Sequence, residues 1–255
     1  MDAIALRISE QIKTVISEWD TVDTVGMLKF GSDRYDPSFF ISFDVYFHGA
    51  IPASNERERA FSFGNAYETT VDGLKDRFLI DDVPVRLEYK AISEVDFAVS
   101  KVTNPERGDT LGTTYGFYRL EHAAVVLSRS NWLPVARRLL SEAPEDFWVR
   151  RVHMLRAQME HALSDLTSAV YGDEPLFYAL SLARFLETAT SLLFAFNRRF
   201  DPPGRLVRHE VAALERLPEE FESRMEHLLR QDAGVSASRK RQIAELLAKS
   251  LLRMS

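Results

Sequence analysis

Two kinds of hydrophobic periodicity divide the chain. From Ile4 to Glu18 apolar residues recur every three or four positions, which predicts a helix lying on a core. Short segments rich in Val, Ile, Phe and Tyr follow, separated by Gly, Pro, Asp or Asn, and these predict strands. A further segment with spaced apolar residues predicts a helix that crosses the sheet between the second and third strands. The strands are Val22–Phe30, Phe39–Phe47, Val83–Tyr89 and Ala123–Leu127, and the crossing helix is Glu56–Phe78.

After about Leu133 the strand signals stop and long helical patterns take over. The predicted helices are Pro144–Tyr171, Leu176–Arg199, a pair around Leu217-Pro218, and a last amphipathic helix that follows Asp232–Ser236 and includes Ile243 and Leu252. The second of these is apolar on almost every side, which is typical of the buried centre of a bundle. We therefore predict two domains, a mixed α and β domain over residues 1–143 and an all-helical domain over residues 144–255.

Composition narrows the classes of function. Of the 255 residues, 45% are hydrophobic, which is enough for a folded core, and the formal charge of −6 argues against an extended nucleic-acid surface. The chain has no cysteine, so disulfides, iron–sulfur clusters and cysteine nucleophiles are excluded. The longest apolar stretch, Ala179–Phe196, is interrupted by Arg184 and Glu187, and the first residues are not a signal peptide. We expect a cytoplasmic protein with no membrane contact, and a homodimer is one possible assembly.

The candidate chemistry lies in the first half. A predicted strand ends in Gly31-Ser32, whose small side chains leave backbone N–H groups open to a phosphate. The next strand carries Ser42 and Asp44, which point the same way because side chains alternate along a strand. An ionised carboxylate is costly to bury without a partner. Asp44 is therefore expected on a solvated face, beside a base such as Arg86, or in a binding site.

These residues resemble the signature of the polymerase-β-like nucleotidyltransferase superfamily. The second half resembles the helical domain of kanamycin-nucleotidyltransferase-like proteins and of an uncharacterised bacterial group with the same two-domain plan. The last strand of the first domain in that group is resembled by Ala123–Leu133, together with the turn that follows it. A helix end in the second domain is resembled by Leu193–Arg205. The resemblance implies an α+β fold, in which a small mixed sheet with flanking helices is followed by an all-α helical bundle.

The resemblance also implies roles for particular residues. Asp44 and Glu88 would be the catalytic carboxylates and would hold Mg²⁺, with two divalent ions clamping an in-line displacement. The phosphates of a nucleoside triphosphate would be held by the remaining candidates, which are Gly31, Ser32, Ser42, Asn197 and Arg205. The sequence departs from the family at Ser42, where the family has a second acid on the same strand. A neutral hydroxyl is a poor ligand for magnesium.

Three functions stay open from the sequence. The first is transfer of a nucleoside monophosphate from a nucleoside triphosphate to a hydroxyl of a small molecule or protein. The second, favoured by the missing acid, is a catalytically degenerate module that senses nucleotides or binds a protein partner. The third is a ribonuclease toxin that uses Arg156 and His161 of the helical half. The simpler interpretations are a turn at Gly31-Ser32, a solvated charged strand at Glu88, and helix capping at Asn197.

Overall fold

A computed structural model describes residues 3–31, 39–104, 112–230 and 234–254 of the chain. The chain divides into two compact units. The first consists of residues 1–104 and 119–142, and the second consists of residues 105–118 and 143–255. The predicted α+β class is confirmed, because the first unit is built on a mixed sheet and the second is helical over the residues described.

A six-stranded sheet forms the centre of the first unit, in the order β3-β4-β5-β2-β1-β6. Among the described strands, β2 and β5 pair in parallel, and the other neighbours are antiparallel. The strands are β1 (Val22–Phe30), β2 (Phe40–Phe47), β3 (Asn65–Thr69), β4 (Lys75–Ile80), β5 (Val83–Ala91) and β6 (Ala124–Ser128). The four strands expected from the sequence are present as β1, β2, β5 and β6.

One face of the sheet is apolar and is covered by helix α1 (Ala3–Ile16). This helix buries Ala5, Ile8, Ile12 and Ile16, whose spacing of three or four residues places them on one side. They pack on alternate residues of the central strands, such as Phe43 of β2. The hydrophobic core of the first unit therefore lies between α1 and this face.

The predicted crossing helix over Glu56–Phe78 is wrong. This segment contains only a short helix, α2 (Ser54–Ala60), and then the hairpin of β3 and β4. Asp72-Gly73 makes the turn, with Gly73 at a φ of 68°, and buried residues in β4 alternate as in a strand. The apolar residues of this segment fitted a helical spacing, but the Asp-Gly turn decides the outcome.

Three more helices belong wholly or partly to the first unit. They are α3 (Ile92–Thr103), the end of α4 (Tyr115–His122) and α5 (Trp132–Ser141). Helix α4 begins in the second unit and enters the first at Arg119. Arg119, Ala123 and Trp132 bring side chains to the second face of the sheet, which carries the polar residues described below.

The second unit is built around two long helices joined by a short turn at Gly172–Glu174. Its helices are α6 (Glu145–Tyr171), α7 (Pro175–Phe196), α8 (Val207–Ala212), α9 (Phe221–Leu229) and α10 (Ala237–Leu252). By length and composition α7 could cross a bilayer, and 56% of its most apolar window is buried inside the protein. Burial is concentrated in its C-terminal half, whereas its first turns are exposed.

A buried polar cluster, formed by Thr114, Arg151 and Asp201, fixes the residues near Thr114 within the second unit. One carboxylate oxygen of Asp201 accepts hydrogen bonds from the Thr114 backbone and hydroxyl, both at 2.8 Å, and from Arg151 at 2.9 Å. Arg151 also donates to the carbonyl of Gly112. The carboxylate of Asp201 and the guanidinium of Arg151 thus pair with each other, as the burial of charged groups requires.

Candidate functional site

The polar face of the sheet is built from alternate residues of β2 and β5. Ser42 and Asp44 point to the face opposite the apolar core because side chains alternate along the strand. In the parallel register Asp44 lies beside Glu88. The structure therefore brings together three of the residues that the sequence singled out.

Asp44 is completely buried, with 0% of its surface exposed. Its Oδ1 accepts from Nη2 of Arg119 and from Nζ of Lys90, each at 2.7 Å. Its Oδ2 accepts from Nε of Arg119 at 2.7 Å and from the hydroxyl of Tyr46 at 3.3 Å. A carboxylate offers about four acceptor positions. Four protein donors therefore use the whole acceptor capacity of Asp44.

The same arginine also holds Ser42. Nη2 of Arg119 donates to the Ser42 hydroxyl at 2.8 Å, and this serine is buried. A second carboxylate at the position of Ser42, where the resemblance led us to expect one, would compete with Asp44 for the same guanidinium. The Ser42 hydroxyl therefore accepts a hydrogen bond from Arg119 inside the protein and does not face solvent.

The pKa of Asp44 results from opposing effects. Burial alone would raise this pKa, because it penalises the charged form, but attraction to Lys90 and hydrogen bonds from Arg119 outweigh it. The net pKa lies below the ordinary value, so Asp44 is ionised at neutral pH. For Tyr46, burial and then the neighbouring Asp44 charge raise the pKa, so the phenol keeps its proton and can donate to Asp44.

Close packing at Gly26 allows Arg119 to reach the sheet. Gly26 of β1 lies opposite Asp44 in the antiparallel register. A Cβ built on Gly26 would meet the Cβ of Ala123 at 2.9 Å, closer than real carbon atoms approach. The glycine therefore lets the end of α4 lie directly on this face, one turn after Arg119.

The exposed side of the polar face carries charges of both signs, with Glu68 of β3 opposite Arg77 of β4. Glu88 and Lys90 are partly exposed, at 27% and 24% of their side chains, with Nζ of Lys90 3.8 Å from Glu88. In the antiparallel register of β4 with β5, Lys75 lies opposite Glu88 and Arg77 lies opposite Arg86. Of the alternatives open for Asp44, a basic partner is found, but it is Arg119 and Lys90, whereas Arg86 lies over the ring of Phe40 at 4.0 Å.

Gly31 is not brought beside Asp44. It follows β1 with a φ of 90°, a conformation that favours glycine. Five residues separate it from Gly26, the residue opposite Asp44, which corresponds to about 17 Å along a strand. Ser32 lies outside the residues that the structure describes.

Asn197 and Arg205 belong to the second unit. The Asn197 amide donates to the carbonyls of Leu193 and Arg216, each at 2.9 Å, and its oxygen accepts from the Arg216 backbone. It joins the end of α7 to a later loop, which is the capping role weighed against phosphate binding. Arg205 is exposed beyond the Pro-Gly turn.

The proposed ribonuclease pair is separated on its helix. Arg156 and His161 are five residues apart on α6, which turns their side chains about 140° from each other. Arg156 donates to the carbonyl of Met254 at 2.7 Å and lies over the ring of Phe196. His161 is exposed near Asp165. This geometry lends the ribonuclease function no support.

The carboxylate oxygens of the polar face are not arranged to bind a pair of magnesium ions. Two divalent ions need several uncommitted anionic oxygens to offset their mutual repulsion. Here Asp44 is saturated and Glu88 lies beside a lysine. Among the described residues, no group of three or more His, Asp and Glu side chains could hold a metal ion. The magnesium role expected of Asp44 and Glu88 stays a prediction, and the arrangement favours another use of Asp44.

Sequence reasoning missed Arg119 and Lys90 as the partners of Asp44. Arg119 is 75 residues away in the chain, on helix α4, which the sequence analysis did not predict. Lys90 could have been found, because it is two residues after Glu88 on a predicted strand and so shares its face.

Comparisons with known proteins agree with this architecture. No model of a protein family matches the chain, and no curated protein matches it at a significant level. A solved structure, that of a nucleotidyltransferase-like protein from Exiguobacterium sibiricum 255-15, is similar with a TM-score of 0.50 and 11% sequence identity. The similarity covers 96% of this chain and 74% of that chain. At this identity it shows the fold alone, and the protein has a nucleotidyltransferase-like α+β fold.

Proposed function

We propose that this protein is a catalytically degenerate member of the nucleotidyltransferase-like fold that binds a nucleoside polyphosphate without a metal ion. The observation that carries the proposal is the saturation of Asp44 by Arg119, Lys90 and Tyr46. The carboxylate that would hold magnesium in an active relative here balances two protein cations. Asp44 therefore acts as a structural anion beneath a binding surface.

The cations beside Asp44 supply the binding chemistry. Arg77 and Arg86 lie directly opposite each other on β4 and β5, and like charges in that position repel. Lys75 lies on the same face one register step further along, and Lys90 lies one step beyond it, where it is bound to Asp44. A polyphosphate carries several negative charges, and arginine binds phosphate oxygens through paired N–H groups. Glu68 of β3 lies opposite Arg77 and Glu88 lies opposite Lys75, so acids flank these cations. We expect a polyphosphate to compete with these acids for the arginines, because it carries more charge than a single carboxylate.

Magnesium-dependent transfer of a nucleoside monophosphate to a hydroxyl is the second candidate. It is favoured by the side-by-side placement of Asp44 and Glu88 on neighbouring strands. This function requires Asp44 to release at least one of its cationic partners before it could bind a metal ion. Nucleotide binding in the absence of magnesium makes no such demand.

Thermal unfolding with nucleotides separates the two candidates. Each of ATP, GTP, CTP and UTP would be added with Mg²⁺ or with EDTA. We expect at least one of them to raise the melting temperature by a similar amount in both conditions. Arg77→Gln and Arg86→Gln should each reduce that rise, whereas Arg59→Gln, an exposed arginine on α2, should not.

Two results would contradict the proposal. One is the absence of any shift with all four nucleotides, which would point to a protein-interaction module. The other is magnesium-dependent release of pyrophosphate that is abolished by Glu88→Gln, which would identify an active transferase. The Glu88 variant is chosen because Glu88 is partly exposed and its loss leaves the buried pair intact.

A further inference from the structure

A tryptophan lies at one end of the polar face of the sheet. Trp132 is the first residue of α5, and its backbone N–H donates to the hydroxyl of Ser130 at 3.1 Å. Its ring centre lies 4.8 Å from that of Tyr46, and its indole N–H donates to Asp96 of α3 at 2.7 Å. Contacts to the ring, to the indole N–H and to the backbone therefore fix this side chain in one orientation.

The fixed indole borders the charged side chains of the same face. Trp132 is only partly buried, and so are Arg86, Glu88 and Lys90 of β5. Nζ of Lys90 lies 5.9 Å from the centre of the Tyr46 ring that the indole contacts. Nucleobases stack on aromatic side chains because every base has a flat π-surface, and a ring that is already held in place loses little freedom on binding. The accessible part of the indole is therefore suited to bind a base.

The spacing between the tryptophan and the arginines suits a nucleoside triphosphate. Tyr46, which the indole contacts, lies beside Lys90 in the parallel register, and Lys90 is four residues beyond Arg86 on β5. At about 3.3 Å per residue, these two positions on β5 are about 13 Å apart. About ten single bonds join a nucleobase to the third phosphorus of a nucleoside triphosphate, and an extended chain of that many bonds spans about 12 Å. A base on Trp132 would therefore place the terminal phosphates near Arg86 and Arg77.

We infer that Trp132 is the base-stacking platform of the nucleotide site, and that this site prefers purine to pyrimidine nucleoside triphosphates. A purine has two fused rings and a pyrimidine has one, so a purine covers more of the indole and stacks more strongly. The inference rests on the proposed function, because it adds a base subsite to the phosphate-binding face. Every residue in it belongs to the first unit.

Calorimetric titration of the full chain with ATP and with inorganic tripolyphosphate, both in EDTA, tests this inference. Tripolyphosphate lacks the base, so its affinity measures the phosphate contacts alone. We expect Trp132→Leu to weaken ATP binding about tenfold and to leave tripolyphosphate binding within about twofold, whereas Trp132→Tyr keeps a stacking ring and should retain most of the ATP affinity. Phe63→Leu is the matched control, because Phe63 is 41% exposed beside Phe61 of the apolar core, and it should change neither affinity.

The two ligands separate failure of this inference from failure of the proposed function. Equal weakening of ATP and tripolyphosphate by Trp132→Leu would mean that the indole supports the fold and not the base, and would overturn the inference. Unchanged ATP affinity in Trp132→Leu would also overturn it, while phosphate binding by the sheet face would stand. Binding of neither ligand to the original chain would overturn both proposals.

Tryptophan fluorescence locates the base directly. The chain has three tryptophans, so Trp19→Phe combined with Trp148→Phe leaves Trp132 as the only one. ATP should quench its emission, because a stacked base contacts the indole, whereas tripolyphosphate should not. Equal quenching by the two ligands would contradict stacking.

A comparison of four nucleotides tests the purine preference. ATP and GTP should bind at least about threefold more tightly than CTP and UTP, because of the larger stacked area. Equal or tighter binding of the pyrimidine nucleotides would overturn this preference.

Discussion

Removal of Arg119 should destabilise the first unit far more than removal of an exposed arginine. The Asp44 side chain is 0% exposed and the Arg119 side chain 4% exposed, and they are joined by two hydrogen bonds of 2.7 Å. Loss of one partner of a buried ion pair costs about 3–5 kcal/mol, and the contacts that Asp44 keeps with Lys90 and Tyr46 place the expected cost at the lower end of that range. Arg119→Met should therefore lower the free energy of unfolding by about that amount.

A double-mutant cycle measures the pair itself. We expect Asp44→Asn and Arg119→Met to couple by about 2–3 kcal/mol, at the upper end of the range for residues in contact. The matched control is the exposed pair of Arg7 and Asp81, at 2.6 Å with both side chains 57% exposed. Its cycle, made with Arg7→Gln and Asp81→Asn, should give no more than about 1 kcal/mol.

Urea unfolding followed by tryptophan fluorescence provides the assay. Trp132 lies on the polar face, where its ring is 4.8 Å from that of Tyr46. A Trp148→Phe background removes the tryptophan of the second unit, so that the signal reports the first unit alone. A coupling between Asp44 and Arg119 below about 0.5 kcal/mol would refute the assignment of Asp44 as a structural anion.

Two further predictions concern the same face. The contribution of Asp44 to stability should be fully present above its ordinary pKa of 3.8 and be lost as the pH falls through its lower folded-state pKa. The difference in urea midpoint between the original chain and Asp44→Asn should therefore shrink below about pH 4, and a constant difference down to pH 2 would contradict this. Gly26→Ala should cost about 1–3 kcal/mol through its clash with Ala123, and adding Ala123→Gly should recover most of that loss in the same urea assay. No recovery would mean that the clash is not the cause.

The local pattern of apolar and polar residues was sufficient to predict much of the fold. The spacing of apolar residues in α1 and the runs of β-branched and aromatic residues in β1, β2, β5 and β6 predicted these elements near their observed bounds. The hairpin of β3 and β4 was missed because its apolar residues fit both a helical and a strand spacing. The turn at Gly73 favours the strand spacing over the helical one. The hairpin then becomes part of the sheet because β4 pairs with β5.

The candidate site was predictable only in part. Alternation along β2 places Ser42 and Asp44 on one face whatever the tertiary structure. The pairing of β2 with β5, which sets Glu88 beside Asp44, is a long-range contact that no local pattern encodes. Gly31 looked adjacent to Asp44 in the motif, but the antiparallel hairpin of β1 and β2 carries it away along the strand.

The sequence by itself determined that a carboxylate would stand among apolar residues at position 44, and that burial would demand a partner for it. Only the tertiary structure decided that this partner is Arg119, because the end of α4 must pack against Gly26 before the guanidinium reaches β2. The same holds for α7, whose composition is mostly apolar but whose burial depends on what packs around each turn. Periodicity is a property of neighbouring residues, whereas the pairing of charges and the covering of surfaces arise from residues that are distant in the chain.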